Sequence, residues 1–207
     1  GAMRWIKGTG VMPDRPLQNR VHPDGGLHAV AARGLLMGNR GGRLHDRAQR
    51  LGRRRWVSKA WISCETAFRG RQRRVWGDSY TELFFLDEAT ALAAGHRPCF
   101  ECRRSAALAF AEAAGSGTRL RAADLDANLH AERLRPRETV AIAGLPAGAM
   151  VADSDGPLLI VSGGLRRWHF EGYSPARTQP ARALVLTPPT ALAALAAGYA
   201  PRLHPSA

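Results

Sequence analysis

Three cysteines constrain the fold of this chain more than any other feature. Cys99 and Cys102 form a C-x-x-C pair, and Cys64 stands alone upstream. A glycine and a proline precede the pair and end one helical segment, so the pair begins the next helix, where backbone N–H groups and the helix dipole stabilise thiolates. Two sulfurs at this spacing can reach one tetrahedral Zn²⁺ ion, and Cys64, near a predicted strand end, can supply a third. The sequence therefore predicts a structural zinc site that joins a strand to a helix N-terminus.

The sequence leaves the fourth zinc ligand open among a histidine, a carboxylate and water. His45 and His96 are the nearest candidates along the chain, with His45 taken as the predicted ligand, whereas His130 and His169 are less favoured. A thioredoxin-like redox pair is the rival interpretation, but that pair follows a strand that opens a βαβ unit, and such a unit is absent from the pattern. Three cysteines cannot form a closed set of disulfides. Zinc is therefore the favoured interpretation.

Apolar patterning predicts an α+β fold. With 207 residues the chain has room for one large domain or two small ones. Helices are predicted at 87–95, 103–114, 122–134 and 189–197, and strands at 55–64, 80–86, 140–143, 149–152, 158–161, 166–170 and 183–186. Turns are expected at Asp155-Gly156 and Gly163-Gly164.

These elements divide the chain into four predicted segments. Residues 1–3 are typical of the remnant of a cleaved tag, and residues 4–55 form an Arg/Gly-rich arm of turns packed on the body. Residues 56–135 are a zinc-binding α+β region, and residues 136–207 are a small, mainly β region with a C-terminal helix. Because no apolar run approaches the ~20 residues that cross a bilayer, and no secretory leader is visible, we expect a cytoplasmic chain without a membrane partner.

The charge predicts a polyanionic partner. The net charge is +13, and only two of the 30 basic residues are lysines. Arginine matches a phosphate with two parallel hydrogen bonds and stacks on bases, so nucleic acid is expected, with DNA favoured over RNA. An acidic protein partner is the alternative, and the interleaved tryptophans are expected to lie in the core. The candidate backbone contacts are Arg40, Arg43, Arg53, Arg54, Arg55, Arg71, Arg73, Arg74, Arg97, Arg103 and Arg104.

An enzyme is the alternative to a binding protein. A metal-dependent DNA nuclease pairs a basic histidine with carboxylates that hold Mg²⁺ or Mn²⁺. The candidate catalytic residues are His45, Asp46, Glu82 and His130. Their spacings match no recognised nuclease signature.

One stretch of the sequence carries a family resemblance. Phe84-Phe85-Leu86-Asp87-Glu88-Ala89 and Ala93-Ala94-Gly95-His96-Arg97-Pro98-Cys99-Phe100-Glu101-Cys102-Arg103-Arg104 lie within residues 80–104. This stretch resembles the second half of the Ada-type zinc domain, and the overall layout resembles small bacterial proteins. The resemblance implies a DNA-binding, DNA-repair-associated domain in which one zinc cysteine accepts a methyl group from a phosphotriester. Phe68 stands where the partner of Cys64 would fall, so methyl acceptance would rest on Cys64.

Overall fold

Two six-stranded sheets organise the protein. The computed structural model describes residues 15–70 and 74–207, so the predicted tag remnant and the start of the predicted arm lie outside the described residues. The first sheet contains β1 (Gln18–Val21), β2 (Leu27–Ala29), β3 (Leu36–Asn39), β4 (Ile62–Glu65), β5 (Leu83–Phe85) and β6 (Arg97–Pro98). The second contains β7 (Thr139–Ala141), β8 (Met150–Asp153), β9 (Gly156–Val161), β10 (Gly164–His169), β11 (Gly172–Pro175) and β12 (Arg182–Val185). The helices are α1 (Glu88–Ala93), α2 (Arg104–Ala114), α3 (Ala122–Arg133) and α4 (Pro189–Ala196). The α+β class is confirmed.

The first sheet is mixed, with the strand order β2-β1-β5-β3-β4-β6. Strand β3 is antiparallel to both β4 and β5, whereas β4 and β6 are parallel. Gly38 of β3 is required by a close approach, since a Cβ there would lie 2.1 Å from the carbonyl oxygen of Ile62. The parallel pairing of β4 with β6 brings distant parts of the sequence side by side.

The predicted arm is instead part of the first sheet. Residues 18–39 form three strands, and β3 is an interior strand of the sheet, between β5 and β4. These strands have three or four residues each and are separated by glycines and prolines, so they are too short to show a period of two. The predicted strand at 55–64 is also shorter than expected, because only its last residues belong to β4.

The second sheet is antiparallel throughout, with the order β11-β10-β9-β8-β12-β7. The predicted turns are confirmed: Gly156 closes the β8–β9 hairpin and Gly163 the β9–β10 hairpin, each with a positive φ, of 122° and 93° respectively. Strand β11 was not predicted, because its sequence Gly-Tyr-Ser-Pro has the composition of a turn.

Helix α1 packs against both sheets, because its residues belong to the buried clusters of the first sheet and of the second. Leu92 of α1, Phe110 of α2 and Leu125 of α3 pack in the same buried cluster as Val151 and Leu158 of the second sheet. The predicted boundary near 135–138 lies just before the first strand of the second sheet, and this buried cluster includes residues from both sides of it. Among the described residues, no helix has the length and apolar character needed to cross a bilayer.

Candidate metal centre

Strand pairing brings the three cysteines together. Cys64 lies in β4, and Cys99 directly follows β6, which pairs with β4 in parallel. The Cys99 amide donates to the carbonyl oxygen of Ser63 at 2.9 Å, which places the two cysteines beside each other across the strand pair. Cys102 lies in the turn that leads into α2. The predicted convergence of these residues is confirmed.

The distances in this cluster fit a single ion. The sulfur atoms of Cys64, Cys99 and Cys102 all lie within 4.8 Å of one another. A tetrahedral site with Zn–S bonds of about 2.3 Å needs sulfurs roughly 3.8 Å apart, which the cluster reaches with small side-chain adjustments. Three sulfur ligands suit a soft or borderline metal such as zinc. These three residues can therefore hold a metal ion.

Backbone donors support thiolates at this position. The amides of Glu65 and Glu101 donate to the sulfurs of Cys102 and Cys99, each at 3.4 Å. Hydrogen bonds from the neighbouring Cys102 and Cys64 thiols lower the pKa of Cys99. The Cys64 thiol donates to the Cys102 and Cys99 sulfurs, and these hydrogen bonds raise the pKa of Cys64. The hydrogen bonds to Cys99 thus favour its thiolate form. The two backbone donors escape sequence reasoning, because a backbone N–H leaves no signal in residue type.

The predicted histidine ligand lies elsewhere. Both ring nitrogens of His45 are engaged, one with the Thr81 hydroxyl at 2.7 Å and one with the carbonyl oxygen of Gly77 at 2.9 Å, and the ring stacks on Trp76. His96 is fully buried and accepts a hydrogen bond from Arg40. In the range 15–70 and 74–207, no histidine, carboxylate or further cysteine joins the three sulfurs within the same distance.

A small cavity adjoins the sulfurs. Its volume is about 150 Å³, and Met37, Phe68, Tyr80 and Glu82 line it together with the three cysteines. Phe68, at the position where the resemblance implies a fourth cysteine, does lie beside the cluster. The cavity gives a water molecule or another small ligand room to complete the coordination of a metal ion.

The predicted catalytic residues are not brought together as one set. Trp76 connects His45 and Glu82, because its ring stacks on His45 and its amide donates to the Glu82 carboxylate at 2.7 Å. Asp46 is exposed and pairs with Arg50 at 3.0 Å. His130 lies on α3, with its ring edge against Trp56 at 5.3 Å between centroids.

Three of the predicted phosphate-binding arginines are buried. Arg97 makes two bonds to the Asp126 carboxylate, at 2.8 and 2.9 Å, and Arg103 donates to Glu88 at 2.7 Å. Their guanidinium groups are buried and paired with carboxylates, so the structure does not present either of them to solvent for the predicted contact with a nucleic-acid backbone. Arg40 is buried without a carboxylate partner among the described residues. Arg71 and Arg73 lie outside the described residues, and the exposed members of the set are Arg43, Arg53, Arg54, Arg55, Arg74 and Arg104.

In the described part of the chain, the three cysteines are the one group of potential ligands whose donor atoms lie close enough to share a metal ion. This group joins β4 to the segment between β6 and α2, and β5, α1 and β6 lie between these parts in the sequence. No protein-family model, no curated protein and no solved structure matches this chain.

Proposed function

We propose that this protein binds zinc through Cys64, Cys99 and Cys102 and binds nucleic acid, DNA in preference to RNA, through exposed arginines. The observation that carries the proposal is the convergence of the three sulfurs within 4.8 Å. Zinc bound there would fix β4 against the turn before α2, so its role is structural.

The basic surface supports a nucleic-acid partner. Arg43, Arg47 and Arg74 line a shallow recess beside Trp76, and the first and last of these are among the predicted phosphate contacts. Exposed arginines without buried carboxylate partners can neutralise phosphates and release counterions. The net charge of +13 favours the same class of partner.

The resemblance to the Ada-type zinc domain supports a role in DNA repair. The matching stretch contains both α1 and the Cys99–Cys102 pair. Phe68 borders the sulfur cluster, where the family would place its remaining cysteine. A phenylalanine cannot bind the metal, so a water molecule in the adjoining cavity would complete the coordination.

Metal analysis tests the zinc component. Protein prepared in zinc-containing medium should hold about one zinc per chain by elemental mass spectrometry. The substitutions C99S and C102S should abolish stoichiometric zinc, whereas H45A should retain it, because His45 lies outside the cluster. A folded wild-type protein that binds no zinc, or a C99S variant that binds as much as the wild type, would overturn the proposal.

Salt-dependent titration tests the nucleic-acid component. The variant R43Q/R74Q should bind fluorescent duplex DNA more weakly, and the slope of log Kobs against log salt concentration should decrease in magnitude by about 1.8. The matched control R119Q/R177Q removes the same charge from exposed positions outside the recess. Equal losses of affinity in the two variants would show that only net charge matters, and the arginine surface would be wrongly assigned.

A further inference from the structure

A second cleft lies apart from the metal centre. Its volume is about 890 Å³, and it lies between the loops around β3 and β4, the end of α3, and the segment from β12 to α4. None of the three cysteines lines it. Its cationic lining residues are Arg40, Arg55, Arg133, Arg135 and Arg137.

Arg40 places an unneutralised charge in the wall of this cleft. Its side chain is 1% exposed, and it donates to the carbonyl oxygen of Gly25 at 2.8 Å, to that of Arg55 at 3.5 Å and to the His96 ring at 3.4 Å. Within residues 15–70 and 74–207, no carboxylate lies within salt-bridge distance of its guanidinium group. A buried charge without a counter-ion is unfavourable, so a bound anion at this position would be stabilising.

A second guanidinium group reinforces this charge. Arg40 and Arg133 both lie over the Trp61 ring, at 3.8 and 4.1 Å from its centroid. Arg133 donates to the carbonyl oxygens of Gly95 and Lys59, at 2.6 and 2.9 Å. The Trp61 indole N–H and the Arg133 Nε are buried and have no acceptor in the part of the chain that is described. Burial, together with the nearby charges of Arg133 and Arg55, lowers the pKa of Arg40 to about 9, and the charge of Asp24 opposes this shift.

The acidic residues of the cleft compensate this charge only in part, since Asp24 is the carboxylate whose charge acts on Arg40. Asp24 pairs with His22 at 2.9 Å, and Glu132 accepts a hydrogen bond from the Thr190 hydroxyl at 2.7 Å. Glu138 is exposed. Five arginines therefore face three carboxylates, two of which already have other partners.

An aromatic ring lies at the same cleft. Trp56 is 36% exposed, which is unusual for a tryptophan, and its ring lies beside the rings of Trp61 and His130, with centroids 6.3 and 5.3 Å away. An exposed indole beside guanidinium groups is the arrangement on which nucleobases stack. The cleft thus combines a positively charged wall with a surface for a planar group.

We infer that this cleft binds a nucleoside phosphate, with the phosphate near Arg55 above the Arg40–Trp61–Arg133 stack and the base against Trp56. A free nucleotide and the phosphorylated end of a strand share this chemistry. The inference uses neither the metal centre nor the recess around Trp76, and it shares with the proposed function only the exposed Arg55.

Calorimetric titration of the intact, zinc-loaded chain tests this inference. The probes are adenosine 5′-monophosphate, adenosine, and one single-stranded oligonucleotide with and without a 5′-phosphate. The phosphorylated form of at least one pair should bind at least tenfold more tightly than the unphosphorylated form. Binding of the nucleotide identifies a free ligand, binding of the phosphorylated strand alone identifies a strand end, and both outcomes support the site. No binding of either phosphorylated probe at millimolar concentration would overturn it.

Two exposed lining residues provide variants that preserve the fold. R55Q and W56A should each weaken binding of the phosphorylated probe about tenfold, since each removes one recognition element. R119Q removes an exposed arginine outside the cleft and should bind like the wild type, as should R43Q/R74Q with the mononucleotide. Equal affinity of R55Q, W56A and R119Q for the probe would refute the assignment, whatever the outcome for duplex DNA.

Discussion

The same substitution should change the stability of the fold at Arg103 but not at the neighbouring Arg104. The Arg103 side chain is 5% exposed, and it donates to Glu88 at 2.7 Å and to the Ser63 hydroxyl at 3.1 Å. Arg104, the first residue of α2, is exposed. We therefore expect R103Q to destabilise the fold strongly and R104Q to leave its stability unchanged.

The magnitude follows from the surroundings of Glu88, which is 1% exposed. Without the guanidinium group, its carboxylate keeps two donors, the Tyr199 hydroxyl at 2.6 Å and the Arg202 amide at 2.8 Å, but it loses its close buried counter-charge. Removing one partner of a buried pair costs about 3–5 kcal/mol in free energy of unfolding. The lower figure applies here because two donors and a glutamine remain. For a chain of this length, about 3 kcal/mol lowers the Tm by roughly 6–12 °C.

Urea unfolding followed by tryptophan fluorescence, with zinc present, measures this difference. R103Q should shift the midpoint at an unchanged m-value, and R104Q should stay within about 0.5 kcal/mol of the wild type. Because Arg103 follows Cys102, zinc content is measured in each variant, and E88Q provides a cycle from the other partner. The loss in R103Q/E88Q should be smaller than the sum of the two single losses. A loss below about 1 kcal/mol in R103Q, or additive losses in the cycle, would refute the role of the buried pair.

Two further predictions concern the pH dependence of stability and a close backbone contact at a glycine. Hydrogen bonds from Arg167 lower the pKa of Asp153 to about 2, so its contribution to stability is complete above the unfolded pKa of about 4 and is lost as the pH falls toward 2. D153N should therefore have a free energy of unfolding about 1 kcal/mol below that of the wild type at pH 7 in urea titration, and this difference should shrink as the pH falls below 4. The control D155N, in the same turn, should differ from the wild type at neither pH. A difference for D153N that is as large at pH 2 as at pH 7 would contradict the role of the ion pair. G34A should lower the free energy of unfolding by about 1–3 kcal/mol, because a Cβ at Gly34 would lie 1.7 Å from a carbonyl oxygen of β5. G52A should lower it much less, because its Cβ would meet its nearest atom at 3.4 Å. Equal melting temperatures of the two variants would show that the backbone relaxes freely.

Elements with strong local signals were predictable. All four helices were predicted within about two residues of their ends, because an N-cap such as Asp87 and a stop such as Gly95 leave a signal in adjacent residues. The strands of the second sheet, apart from β11, also followed from short apolar or aromatic runs bounded by turn residues. In the first sheet, the predicted strands at 55–64 and 80–86 overlap β4 and β5, whereas β1, β2, β3 and β6, with two to four residues each, carry too few residues for a period to be visible.

The candidate site was predictable in its sulfur ligands but not in its charges. A C-x-x-C at a helix start together with one further cysteine indicates shared metal ligands, and the three sulfurs do meet. Arg97 and Arg103 share their residue type with the exposed Arg104, and sequence does not distinguish a guanidinium that faces Asp126 from one that faces solvent. The cleft around Trp61 was missed for the same reason.

By itself, the sequence determined the helices, the first two hairpins of the second sheet and the three sulfurs that could hold a metal ion, because each depends on residues that are close in the chain or on a rare residue type. Only the tertiary structure decided which arginines are neutralised and which keep an uncompensated charge. That outcome depends on contacts such as Arg40 over Trp61 and Arg103 with Glu88, which join separate elements of the fold. Burial and pairing determine whether a charge stabilises the fold or attracts a ligand, and both are properties of the folded chain.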